Sequence, residues 1–108
     1  LEADVIYEMR TYQLKVGTVQ KYVQLFGEKG MPIVSRYCTL VGYWTVESGL
    51  LNRVVHIWSF KDLEDRRRSR ERWWQDKEWT EGYVPLALPM VESQESIILT
   101  AAKFSPIQ

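Results

Sequence analysis

The sequence is short of the groups from which sites are most often built. It holds one cysteine, Cys38, which excludes an internal disulfide framework and a cysteine-based zinc centre. It holds one histidine, His56, which excludes a multi-histidine metal centre. An excess charge of one sign is also missing: 14 basic residues balance 14 acidic ones, so no net field draws the chain to nucleic acid or an anionic membrane. No apolar run approaches the roughly 20 residues of a membrane helix. There is no Gly-rich phosphate loop, Gly-x-Ser-x-Gly elbow, pair of cleft carboxylates or metal-ligand spacing. The opening Leu1–Asp4 has the features of neither a signal peptide nor an Arg-rich transit peptide. The unpaired thiol fits a reducing compartment, and cytoplasm is the expected location. A removed mitochondrial presequence stays open, because the sequence does not start with methionine.

What is present is ordinary for a globular protein. The chain has 108 residues, 45% hydrophobic and 26% charged, enough for one domain (1–108) and one core burying roughly 65% of the unfolded surface. Alternation from Val5 to Leu14 predicts a first strand, with Ile6, Glu8, Arg10, Tyr12 and Leu14 on one face. Gly17 ends it and Thr18 is an N-cap candidate for a helix with Val19, Tyr22, Val23 and Phe26 on one side. Gly30 and Pro32 predict a kink in that helix. Leu40–Val46 reads as a second strand and Arg53–Phe60 as a third, close enough to form an antiparallel hairpin. Asp62 is placed to cap a second helix running from Leu63 to Trp74. Asp76–Gly82 reads as a short helical segment, Pro85 and Pro89 as a loop, and Glu95–Ala102 as the fourth strand. The order β-α-β-β-α-β predicts an α+β ferredoxin-like sandwich: a four-stranded antiparallel sheet with both helices on one face.

Such a sandwich covers one sheet face, yet both parities of these strands are apolar. Val41, Tyr43, Val55 and Ile57 share one parity; Leu40, Trp44, Val54, Trp58 and Phe60 share the other. Unless a bulge rephases a strand, the uncovered face needs a partner, and homodimerisation through the sheet face supplies one.

Chemistry has few candidates. His56 is the one side chain that titrates near neutrality unperturbed; it reads either as a buried neutral histidine or as a general base or ligand contact. Glu8 and Arg10 are charged at inward positions, so they form either an ion-pair network with His56 or the lining of a pocket. With Tyr12, Trp44 and Trp58 they make the candidate pocket, and Trp79 and Tyr83 its mouth. Aromatic walls with a few polar groups suit a small apolar or aromatic ligand, and equally a small core. The run Arg66–Arg72 reads as a solvated helix face neutralised by Glu64–Arg68 and Arg67–Glu71 pairs. Cys38 reads as an inert buried thiol.

Tyr7–Tyr12, Leu40–Thr45 and Asn52–Trp58, above all Gly42-Tyr43-Trp44 followed by Asn52-Arg53-Val54-Val55-His56-Ile57-Trp58, resemble the NIPSNAP family, and Glu95–Leu99 extends the match over nearly the whole chain. The resemblance implies the dimeric α+β barrel superfamily, in which two ferredoxin-like units pack sheet against sheet. It brings no catalytic set. Barrels of this kind include cofactor-free monooxygenases and haem-degrading monooxygenases. The haem-degrading pattern of asparagine, tryptophan and axial histidine falls on Arg10, Trp58 and Tyr83 here, and only Trp58 matches, which disfavours haem. No cofactor, metal, nucleic acid or membrane partner is expected. The expected function is a homodimer that binds, and as an extension oxidises, a small aromatic or apolar molecule between sheet and helices. The competing readings are an interaction module docking through Arg66–Arg72 or the Trp73, Trp74 and Trp79 edge, and a ligand-free structural oligomer.

Overall fold

The alternation at the start of the chain becomes β1 (Ile6–Leu14), with Ile6, Glu8, Tyr12 and Leu14 buried on one face. A computed structural model describes residues 5–108; the opening segment Leu1–Asp4 lies outside the described residues. Gly17, at φ +85°, turns the chain, a backbone region that glycine enters without steric cost. Thr18 does not cap the next helix with its side chain; its Oγ1 donates instead to the Lys15 carbonyl at 2.6 Å. Helix α1 (Val19–Leu25) runs on through a π-helical turn at Phe26–Gly30 into α2 (Met31–Val34). The expected kink is therefore a widened turn. Gly30 lies where Phe26 and Tyr83 press in, so close that a Cβ there would meet their rings at 2.6 and 2.9 Å.

Strands β2 (Thr39–Thr45) and β3 (Arg53–Phe60) form the antiparallel hairpin. Helix α3 (Leu63–Trp74) starts at Asp62, whose carboxylate accepts the Asp65 N–H at 2.7 Å, satisfying one of the free donors of the first turn. A second π-helical turn follows at Glu78–Tyr83, then α4 (Val84–Ala87) and a 3₁₀ turn at Leu88–Met90. The Pro85 and Pro89 stretch is thus helical rather than a loop. Each proline occupies one of the first two positions of its turn, where its missing N–H is not needed. Strand β4 (Val91–Thr100) begins earlier than Glu95 and ends before Ala102, extended along β1 with a register shift at Gln13 and Leu14.

The sheet order is β2-β3-β1-β4, all antiparallel, the ferredoxin-like α+β arrangement expected. The core lies between one sheet face, with Leu14, Val54, Trp58 and Phe60, and the helices, with Tyr22, Phe26, Val34 and Trp73. The other face is open and apolar: Val41, Ile97 and Leu99 are exposed there.

One correction concerns the phase of β2. Leu40 pairs with Trp58 and Gly42 with Ile57, so Val41 is an extra residue in a bulge. Past the bulge Tyr43 faces the helices opposite His56. Trp44 turns to the open face at 52% exposure, its indole so close over Gly42 that a Cβ there would meet it at 2.3 Å.

Candidate functional site

Glu8 sits inward on β1 with its side chain 1% exposed. A carboxylate so placed is costly unless its charge is met, and three other elements or neighbours meet it. Arg10 Nη1 donates at 2.7 Å, Arg66 Nε and Nη2 at 3.0 and 2.9 Å, and Ser96 Oγ at 2.6 Å. Burial alone would raise the carboxyl's pKa. The hydrogen bonds from Arg66, Ser96 and Arg10 outweigh it and hold the value at about 2. Glu8 is therefore a fixed anion joining β1, α3 and β4. Arg10 also donates from Nε to the Tyr12 hydroxyl at 2.9 Å.

His56 is packed between tyrosines: it stacks on Tyr43 (centroids 4.6 Å apart, 6° between planes) and meets Tyr12 edge-on at 4.8 Å. The Trp58 indole Nε1 donates to His56 Nδ1 at 2.7 Å. An indole nitrogen can only donate, so Nδ1 carries no proton and the neutral ring carries its proton on Nε2. Burial first, and the Arg10 charge second, lower the imidazole's pKa to about 3. At neutral pH His56 is thus uncharged, its Nδ1 lone pair is taken, and its Nε2–H is a buried donor without a partner. In that state the ring offers a donor and no free basic nitrogen.

Glu8, Arg10, Tyr12, His56 and Trp58 line one cavity of about 30 Å³, together with Tyr43, Arg70, Trp73 and Trp79. That is room for about two waters at ~10–15 Å³ each. Among the described residues, four buried polar atoms of its lining have no hydrogen-bond partner: His56 Nε2, Tyr43 OH, Trp73 Nε1 and Trp79 Nε1. Three of these can only donate. The Tyr43 hydroxyl stays protonated, because burial pushes its pKa far up. Burial likewise raises the Cys38 thiol to about 11, leaving it inert. Over the cavity the two π-helical turns meet: Phe26 stacks on Tyr43 at 5.1 Å and faces Tyr83 edge-on at 6.0 Å, while Tyr83 stacks on Trp79 at 4.5 Å.

The structure places most, not all, of the candidate residues together. Trp44 lies on the far side of the sheet, and Tyr43 takes the position expected of it. Trp79 lines the cavity itself, whereas Tyr83 lines an outer groove with Pro32, Ile33 and Arg36. Sequence reading missed Tyr43, Arg66, Arg70 and Ser96, and set Trp73 at an interaction edge. It treated Arg66–Arg72 as one solvated face. In fact Arg67 alone pairs with both Glu64 and Glu71; no Glu64–Arg68 pair forms among the described residues, and Arg66 turns in to Glu8. The available signal was the spacing of Arg66, Ser69, Arg70 and Trp73, one stripe of a helix. Among the described residues no group of three or more His, Cys, Asp or Glu side chains could hold a metal. None of their helices is long and apolar enough to cross a membrane.

Sheet order and helix placement define a ferredoxin-like α+β domain. SnoaB, a cofactor-independent oxygenase from Streptomyces nogalater, has this fold at TM-score 0.65 and 15% identity, covering 96% of this chain and 99% of its own. The particular family is fixed more closely. The NIPSNAP family model matches residues 7–106, and the chain belongs to that family. It is 36% identical over 95 residues to human Protein NipSnap homolog 3A, an alignment covering 87% of this chain and 38% of that protein. The chain thus spans well under half the length of the curated relatives it matches. A NIPSNAP family protein of unknown function from Agrobacterium tumefaciens superposes at TM-score 0.95 with 35% identity, covering 100% and 97% of the two chains. An uncharacterised NIPSNAP domain protein from Burkholderia xenovorans superposes at 0.89 with 38% identity, covering 94% and 98%.

Proposed function

We propose that this domain binds a small aromatic molecule through a hydrogen-bond-accepting group in the cavity between sheet and helices, and that two copies pair through the open sheet face. The observation that carries the reading is the set of unpartnered buried donors, with His56 Nε2–H among them. Leaving one buried donor unsatisfied costs about 1–3 kcal/mol, and an acceptor in the cavity relieves that cost. The cavity of about 30 Å³ is far below the ~300–1,000 Å³ of a preformed ligand pocket. Entry of an aromatic ring therefore moves Phe26, Trp79 and Tyr83. The two π-helical turns that carry them suit that task, since such turns recur at functional sites.

SnoaB's description as a cofactor-independent oxygenase adds oxidation of the bound molecule by dioxygen to this reading. Aimed donors in this site would stabilise negative charge growing on a substrate oxygen. A docking role for Arg66–Arg72 is less favoured, because Arg66 faces Glu8 and Arg67 is neutralised on its own helix.

The test is titration of intrinsic tryptophan fluorescence with flat aromatic carbonyl compounds, alongside light scattering and oxygen uptake. The reading expects saturable quenching, weakened at least tenfold in His56→Ala with an unchanged circular dichroism spectrum. Undiminished binding by that variant would remove the cavity reading. Light scattering should give a dimer that Trp44→Glu converts to a monomer; a monomeric parent protein would remove the pairing.

A further inference from the structure

The cations around the cavity outnumber the anions. Arg10, Arg66 and Arg70 stand against Glu8 alone, an excess of two positive charges. Glu8 is already saturated by Arg10, Arg66 and Ser96. Arg70 lines the cavity, half-buried, and among the described residues no hydrogen bond or ion pair reaches its guanidinium. Its Cζ lies 5.2 Å from the centre of the Trp73 ring. Its own helix offers that ring as a cation–π partner but no carboxylate: the neighbours three and four residues away are Arg67, Arg66, Trp73 and Trp74. The acidic residues of α3 are engaged elsewhere, Glu64 and Glu71 by Arg67, and the Asp65 carboxylate by the Lys61 backbone N–H. A guanidinium kept partly out of water without a counter-charge is unfavourable. Its planar fork of donors matches a carboxylate.

Deepening the cavity reading above, and resting on it, we infer that the group accepted is an anion: the ligand is an aromatic carboxylic acid, its carboxylate on Arg70 and its ring among Tyr43, His56 and Trp79. Arg70 supplies the charge recognition. His56 Nε2–H and the Trp73 and Trp79 indoles supply neutral donors for the same oxygens. Once Phe26, Trp79 and Tyr83 move aside, the stacked Tyr43 and His56 rings present a flat wall to a planar group. Because His56 is uncharged at neutral pH, the selection of an anion over an isosteric amide depends on Arg70 and not on an imidazolium.

Benzoate and benzamide, alike in shape and different in charge, separate the inference from the reading beneath it. Each is titrated into the full chain, its Arg70→Gln variant and its Arg70→Lys variant, with tryptophan fluorescence as the readout and circular dichroism as the folding check. The parent protein should bind benzoate at least tenfold more tightly than benzamide. Arg70→Gln should bring benzoate down to the benzamide level and leave benzamide unchanged, while Arg70→Lys keeps part of the preference. Equal binding of the two probes by the parent protein, or a benzoate preference that survives in Arg70→Gln, would overturn the inference and leave the cavity reading standing. If neither probe binds the parent protein, both fall. Should Arg70→Gln not fold, the parent ratio and Arg70→Lys decide: a preference undiminished in Arg70→Lys under raised salt, which screens the point charge, counts against it.

Discussion

Glu8→Gln removes the one negative charge from the cluster while keeping the side chain's shape. The folded carboxyl titrates at about 2 against an ordinary 4.5. At ~1.36 kcal/mol per pH unit this amounts to about 3 kcal/mol of stability at neutral pH. Breaking a buried ion pair by removing one partner costs about 3–5 kcal/mol. Arg66 is 27% exposed, so solvent screens part of the interaction and the lower end applies. The sign follows from the depressed value: the contribution is complete above pH 4.5 and drains away as the pH falls towards 2. Urea unfolding followed by tryptophan fluorescence should show the variant about 3 kcal/mol less stable at pH 7, with a melting point lower by roughly 12–20 °C. The two stability curves should then converge between pH 4.5 and 2. A variant within ~1 kcal/mol of the parent at pH 7, or a gap that stays constant down to pH 2, would refute the ion cluster as a stabilising joint.

Three further outcomes follow from single contacts. Gly30→Ala puts a methyl group into the Phe26 and Tyr83 rings and should cost about 1–3 kcal/mol by overpacking, measured by thermal melting. Trp58→Phe removes the indole donor to His56 Nδ1; nitrogen-15 NMR should find a single Nε2–H tautomer in the parent and a mixture in the variant, with about 1–3 kcal/mol lost. Asp62→Ala removes the cap of α3 and should cost about 1 kcal/mol in denaturant unfolding, without altering ligand titrations.

Much of the architecture was legible because its causes are local. The alternation of β1, the limits of β3 at Arg53 and Phe60, and the Asp62 cap depend on neighbouring residues alone. Part of the site was equally readable: Glu8, Arg10, Tyr12, His56 and Trp58 share one parity on two adjacent regular strands. The exchange of Trp44 for Tyr43 was not readable, because a bulge is set by pairing with β3 and leaves the residue pattern of β2 unmarked. The inward turn of Arg66 was hidden for a different reason. Arginines near Glu64 and Glu71 satisfy a surface explanation completely, and only the unmet charge of Glu8, distant in sequence, shows that one of them is needed inside. Helical conformation around Pro85 and Pro89 escaped notice because proline breaks a turn only where its N–H is required.

The bulge at Val41 also separates two kinds of change that a regular strand would tie together. In an even ladder, adding or losing one residue reverses every later side chain. Here the surplus residue is already absorbed between Leu40 and Gly42, so deleting Val41 would straighten β2 and leave Tyr43 over His56. The outward surface, bearing Val41 and the Trp44 ring folded across Gly42, would be reshaped alone. The sheet thus carries a point of length variation at which its open face can diverge while the chamber on its other side is inherited intact.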